Sequence, residues 1–97
     1  MESFYIITNQ LKDRDYSVTI EIKDYIERKG KYVILAQKDE EGFIVPGTIP
    51  ENVDCGLVLG GDGTLIRAIR DLEGNKLPLL GINIGTLGYL ADVEDRK

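Results

Sequence analysis

Residues 57–69, "LVLGGDGTLIRAI", pass from an apolar run through two glycines, an aspartate, a glycine and a threonine into a pattern of helical period. Together with Cys55 and Gly56 the run reads as a short strand, apolar on both faces, as parallel strands are when helices cover both sides of a sheet. Glycines let a backbone come close to something, the start of a helix attracts an anion, and an aspartate repels one. These facts fit together if the acid and the backbone serve different groups.

Outward from this stretch the chain alternates strand and helix. Leu65, Ala68, Ile69 and Leu72 share one helical face, which ends at Gly74-Asn75 and leaves Arg67, Arg70 and Asp71 turned away from it. "LPLLGINIG", residues 77–85, is then a further strand. On the N-terminal side, "SFYIIT" at 3–8 and "KYVILAQ" at 31–37 read as strands. Between them Val18, Ile22, Tyr25 and Ile26 form one face of a helix that stops at Gly30. Residues 38–54 are rich in charge, glycine and proline. They read as a mobile surface connection with a brief extended piece at 43–45. The order strand, helix, strand, loop, strand, helix, strand predicts an α/β fold, doubly wound around a mainly parallel sheet.

A chain of 97 residues makes one small domain, residues 1–97. Twelve Lys and Arg stand against 17 Asp and Glu, a net charge of −5, which argues against nucleic acid or a membrane surface as partner. The basic residues Lys12, Arg14, Arg28, Lys29 and Lys31 lie among acids and read as a solvated face. With no histidine and one cysteine, Cys55, neither a zinc site nor an internal disulfide is expected, and no residue is assigned as a metal ligand. Cys55 reads as a small buried hydrophobe. No signal segment or membrane-spanning run is present, so the expected location is cytoplasmic.

The motif "GGDGT", residues 60–64, is neither a Walker A loop nor a dinucleotide fingerprint. Its place between a strand and the following helix is where open α/β sheets bind ligands. Gly60, Gly61 and Gly63 permit positive φ and close approach, so successive N–H groups can hold a phosphate at the helix start. Asp62 can then accept a hydrogen bond from a substrate hydroxyl and take its proton as phosphoryl transfer proceeds. Thr64 can cap the helix or bond a phosphate oxygen. The same five residues also suit a tight turn with no ligand. Arg67 reads equally as a solvated arginine, and Tyr89 as a core aromatic with its hydroxyl at the surface. Asn83, Gly85 and Gly88 read as a turn beside the Asp62 loop.

"GGDGT" together with "LPLLGINIGTLGYLADVE", residues 77–94, resembles the N-terminal domain of the NAD kinases. Diacylglycerol and sphingosine kinases share the first motif, and 6-phosphofructokinases do so more loosely. "GINIGTLGYL" is similar to the NAD kinase pattern, which often has Phe where Tyr89 stands, whereas lipid kinases have a glycine-threonine-glycine-asparagine stretch. The resemblance implies transfer of a phosphoryl group from ATP, with Mg²⁺, to the 2′-hydroxyl of the adenosine ribose of NAD, giving NADP. Asp62 would accept the proton, Asp62 and Gly63 would touch NAD, Arg67 would help bind it, and Tyr89 would wall the nucleotide pocket. Family members continue into a β-rich second domain with an Asn-Glu pair. This chain is therefore expected to be a piece of a longer protein, inactive alone, with an exposed face that favours a homo-oligomer. The rival readings are a lipid or sugar kinase using the same motif and a non-catalytic nucleotide-binding or assembly module.

Overall fold

A computed structural model of the chain describes residues 2–84. Gly85, Gly88, Tyr89 and the apolar piece at 87–91 lie outside the described residues. Strands β1 (Ser3–Thr8), β2 (Tyr32–Leu35), β3 (Cys55–Gly60) and β4 (Leu79–Asn83) form one sheet in the order β2-β1-β3-β4, and each pairing is parallel. Helix α1 (Ser17–Arg28) follows β1, and α2 (Asp62–Asp71) follows β3. The expected doubly wound α/β architecture is the observed one.

All six residues of β3 are buried, because its side chains alternate between two apolar layers. On one face Val58 packs with Tyr5, Ile7, Ile44, the Ala68 of α2 and Leu72, which caps that helix. On the other, Cys55, Leu57 and Leu59 pack with Ile6 and the Val18, Ile22 and Ile26 of α1. Burying each such aliphatic side chain contributes about 1.5–3 kcal/mol, so the two central strands carry most of the stabilisation. Cys55 packs as a small hydrophobe, and burial, with the charge of Asp54 behind it, pushes its thiol pKa up.

Both helices bury narrower stripes than their periodicity suggests. Tyr25, expected on the buried face of α1, is 57% exposed, with the Lys29 ammonium 5.2 Å from its ring centre. Ile69, expected to pack with Leu65, Ala68 and Leu72, is 54% exposed. In each case the sheet reaches only the central line of the helix, at 18-22-26 in α1 and 65-68-72 in α2. The 38–54 connection also departs from a plain surface loop. Ile44 is buried in the α2-side layer, Ile49 and Val53 pack against it, and Lys38 and Ile44 form an antiparallel bridge. Asp71, expected to turn away, is half-buried and accepts the Ile44 N–H at 3.4 Å.

The junction between β1 and α1 is held by a buried acid. Asp13 accepts the Val18 N–H at 3.1 Å, the Thr19 N–H at 2.8 Å and the Thr19 hydroxyl at 2.7 Å, and Thr19 Oγ1 meets Thr8 Oγ1 at 2.7 Å. Burial opposes the carboxylate's charge, but the hydrogen bonds from Thr19, Val18 and Ser17 outweigh it and hold the Asp13 pKa below the ordinary value of 3.8. A depressed folded-state pKa means that the stabilisation is complete above that ordinary value and is lost as pH falls through the folded one. Asp13→Asn should therefore cost about 1–3 kcal/mol at neutral pH, since its amide would set a donor against a donor. Urea midpoints of both proteins measured from pH 7 downward check this: the gap should narrow once pH drops below 3.8. A gap that does not change would remove Asp13 from this role.

Candidate active site

Because α1 and α2 lie on opposite faces, the chain leaves the adjacent strands β1 and β3 in opposite directions. Their C-terminal ends therefore open into a crevice, the place where parallel sheets bind ligands. A cleft of about 590 Å³ occupies it, walled by residues 9–12 after β1, 38–42 after β2 and 61–64 after β3, with Arg67, Ala68 and Asp71 of α2.

The motif supplies one wall. Gly61 is extended, with φ −120°, and α2 begins at Asp62, whose side chain is exposed and borders the cleft. The first intrahelical bond runs from the Leu65 N–H to the Gly61 carbonyl at 3.2 Å, so the amides before Leu65 are free of intrahelical partners. Of the two freedoms that Gly60, Gly61 and Gly63 permit, positive φ is not used: among the described residues the left-handed glycines are Gly30, Gly42, Gly47 and Gly74. The need at Gly60 is for space, because a Cβ there would collide with Thr64 Oγ1. A Cβ on Gly61 or Gly63 would meet nothing within 4 Å, so these two present open backbone to the cleft. Thr64 does not cap α2 with its side chain. Its hydroxyl instead accepts the Asn9 Nδ2 at 2.9 Å, tying the start of α2 to the end of β1. Asn83 ends β4 opposite Gly60, at the edge of the same wall.

Two further groups of residues complete the cleft, and periodicity could not single them out. Asn9 is one: its side-chain oxygen accepts the Leu11 N–H at 3.0 Å while its amide holds Thr64. Lys38 is the other, its Nζ donating to the Thr8 carbonyl at 2.8 Å. Burial, and after it the Arg67 guanidinium, lower the Lys38 pKa, while Asp71 acts the other way. Arg67 lines the cleft and is not simply solvated. Its Nη2 donates to the Glu41 carbonyl at 3.1 Å and its guanidinium lies 4.1 Å from the Phe43 ring centre. Among the described residues no three His, Cys, Asp or Glu side chains are grouped to hold a metal ion, and no helix is long and apolar enough to cross a membrane. The arrangement can hold an anion at free amides and present one carboxylate to a hydroxyl beside it.

Residues 4–97 match the family described as the ATP-NAD kinase N-terminal domain. An NAD kinase of Agathobacter rectalis is 46% identical over 98% of this chain and 35% of its own length. One of Lachnospira eligens is 42% identical over 97% and 34%, and one of Lachnoclostridium phytofermentans 40% over 97% and 34%. The chain thus spans about a third of the length of the curated relatives it matches. No solved structure matches it at a significant level.

The glycines separate by what each one does. Gly60→Ala should cost about 1–3 kcal/mol, because Thr64 must swing aside and release Asn9. Gly63→Ala should leave stability unchanged or raise it by up to about 1 kcal/mol, as a helical position with free space allows. Denaturant titration of the two variants decides, and equal destabilisation by both would contradict the assignment.

Proposed function

The chain belongs to the ATP-NAD kinase family, and we propose that its cleft carries the proton-accepting half of a site that phosphorylates the 2′-hydroxyl of the adenosine ribose of NAD, giving NADP. The observation that carries this reading is the placing of Asp62, exposed on the first turn of α2 between glycines that leave open space, in the crevice between β1 and β3. The names of the relatives support NAD as acceptor over a lipid or sugar hydroxyl.

In this reading the free amides at the start of α2, around Gly61, Gly63 and Thr64, face phosphate oxygens, and the helix dipole favours the charge they bring. Asp62 accepts a hydrogen bond from the ribose hydroxyl and so aims its oxygen at the γ-phosphorus of ATP. As the new O–P bond forms and the bond to the departing ADP breaks, the hydroxyl proton passes to the Asp62 carboxylate. Arg67 contributes charge on the same wall. Mg²⁺ arriving with ATP would neutralise charge on the transferring phosphates; among the described residues no three His, Cys, Asp or Glu side chains are grouped to hold it. The chain spans about a third of the relatives' length, and on this reading turnover needs the acceptor and donor held in line by the rest of the site.

Asp62→Asn in the full-length protein preserves shape but cannot take the proton. Its kcat should fall by about 10²–10⁴, with nucleotide affinity within a few-fold of wild type. Coupled assay of NADP formation, beside calorimetry with NAD, measures both, and the 97-residue chain in the same assay should form none. Turnover by the Asn variant at the wild-type rate would exclude Asp62 as the base.

A further inference from the structure

Arg67 reaches the cleft from the second turn of α2, and its long side chain owes its direction to a distant part of the chain. Residues 38–44 form a turn organised by Asp39. Its Oδ1 accepts the N–H groups of Glu41 and Phe43, each at 2.9 Å. Its own N–H donates to the Phe43 carbonyl at 2.8 Å, and its carbonyl accepts the Gly42 N–H at 3.0 Å. Gly42 sits at φ +90°, a conformation that glycine adopts without strain. The turn is anchored at its base by buried Ile44 and by the Lys38–Ile44 bridge. It presents two groups to Arg67: the Glu41 carbonyl, which takes one N–H, and the face of Phe43, which takes the guanidinium plane.

We propose that Phe43 is a positioning residue for nucleotide recognition, and that the turn at 38–44 is a clamp holding Arg67 with its remaining donors toward the cleft for a nucleotide phosphate. This rests on the reading of Arg67 as a nucleotide contact. An aromatic face attracts the cation without consuming N–H donors, and so differs from a carboxylate partner, which would occupy the fork and cancel its charge. Arginine carries five N–H donors, and the Glu41 carbonyl takes one, leaving enough for two parallel bonds to a phosphate. Holding the side chain before the ligand arrives removes the ordering cost from the binding step.

Phe43 is 44% exposed and belongs to neither apolar layer, so its replacement spares the core. The test is steady-state kinetics of the full-length protein with NAD and MgATP, comparing Arg67→Ala, Phe43→Leu, Phe43→Tyr and the Phe43→Leu/Arg67→Ala pair, with melting curves for each. Phe43→Leu should raise KM for the nucleotide whose phosphate Arg67 meets by roughly three- to tenfold, with kcat within about twofold. Phe43→Tyr should restore it, and the double variant should match Arg67→Ala alone. If Phe43→Leu unfolds the protein, Phe43→Met takes its place in the same cycle. Wild-type KM in Phe43→Leu beside a raised KM in Arg67→Ala would overturn the clamp and leave the reading of Arg67 standing. Wild-type KM for both nucleotides in Arg67→Ala would overturn both. Equal damage by Leu and Tyr would overturn the aromatic role.

Discussion

Strands β1 and β3 pair in parallel through five residue positions, from Phe4 with Cys55 to Thr8 with Leu59, and send their helices to opposite faces of the sheet. Everything else in the domain depends on that pairing. It buries both strands on two sides, which demands apolar residues at successive positions. It also forces the chain to diverge at the C-terminal ends, and that divergence creates the crevice. The Asn9–Thr64 bond across the gap fixes how far the two exits stand apart. Thr64 holds its position because Gly60 has no side chain to compete for the space. One short motif thus serves the fold through Gly60 and Thr64, and on the proposed reading serves the chemistry through Asp62 and its open glycine neighbours.

The division of labour explains the juxtaposition of an acid with an anion-attracting helix start. Free amides point along the helix axis, whereas the Asp62 side chain projects from the first turn beside them. A phosphate and a hydroxyl can therefore meet different parts of the same loop. The cleft walls carry both signs, with Lys12, Lys38 and Arg67 among Asp39, Glu40, Glu41, Asp62 and Asp71. For the anionic ligand of the proposed reading, with so many acids around it, the placing of each cation matters more than their number. Lys38 is tethered to the Thr8 carbonyl, and Arg67 is stacked on Phe43.

Short-range patterns made the architecture legible. β1 and the stop of α1 before Gly30 follow from runs and breaks that depend on neighbours in sequence, and the same patterns place the site loop at a strand end. The failures share a cause. Tyr25 and Ile69 lie on the apolar stripe by period, yet the width of the stripe that the sheet covers is a tertiary quantity. The 38–54 connection has the composition of a surface loop, yet buried Ile44, with Ile49 and Val53 packed against the same layer, draws it into the core. Asn9, Lys38 and Phe43 act on partners 30 or 55 residues away, or across the turn onto Arg67, and local spacing carries no trace of such pairs. Of the positive φ and the close approach that Gly60, Gly61 and Gly63 permit, only the second is used: Gly60 makes room for Thr64, and Gly61 and Gly63 leave the backbone open.

On the proposed reading Asp62 faces the hydroxyl that becomes phosphorylated. The most direct measurement is a crystal structure of the full-length protein with NAD bound, read at one distance, from the nearer Asp62 carboxylate oxygen to the 2′-oxygen of the adenosine ribose. Hydrogen-bond reach, about 2.6–3.2 Å, with the dinucleotide seated in the crevice between β1 and β3, is the predicted result. NAD bound with that hydroxyl well beyond reach of Asp62, and with another carboxylate against it, would exclude Asp62 as the base.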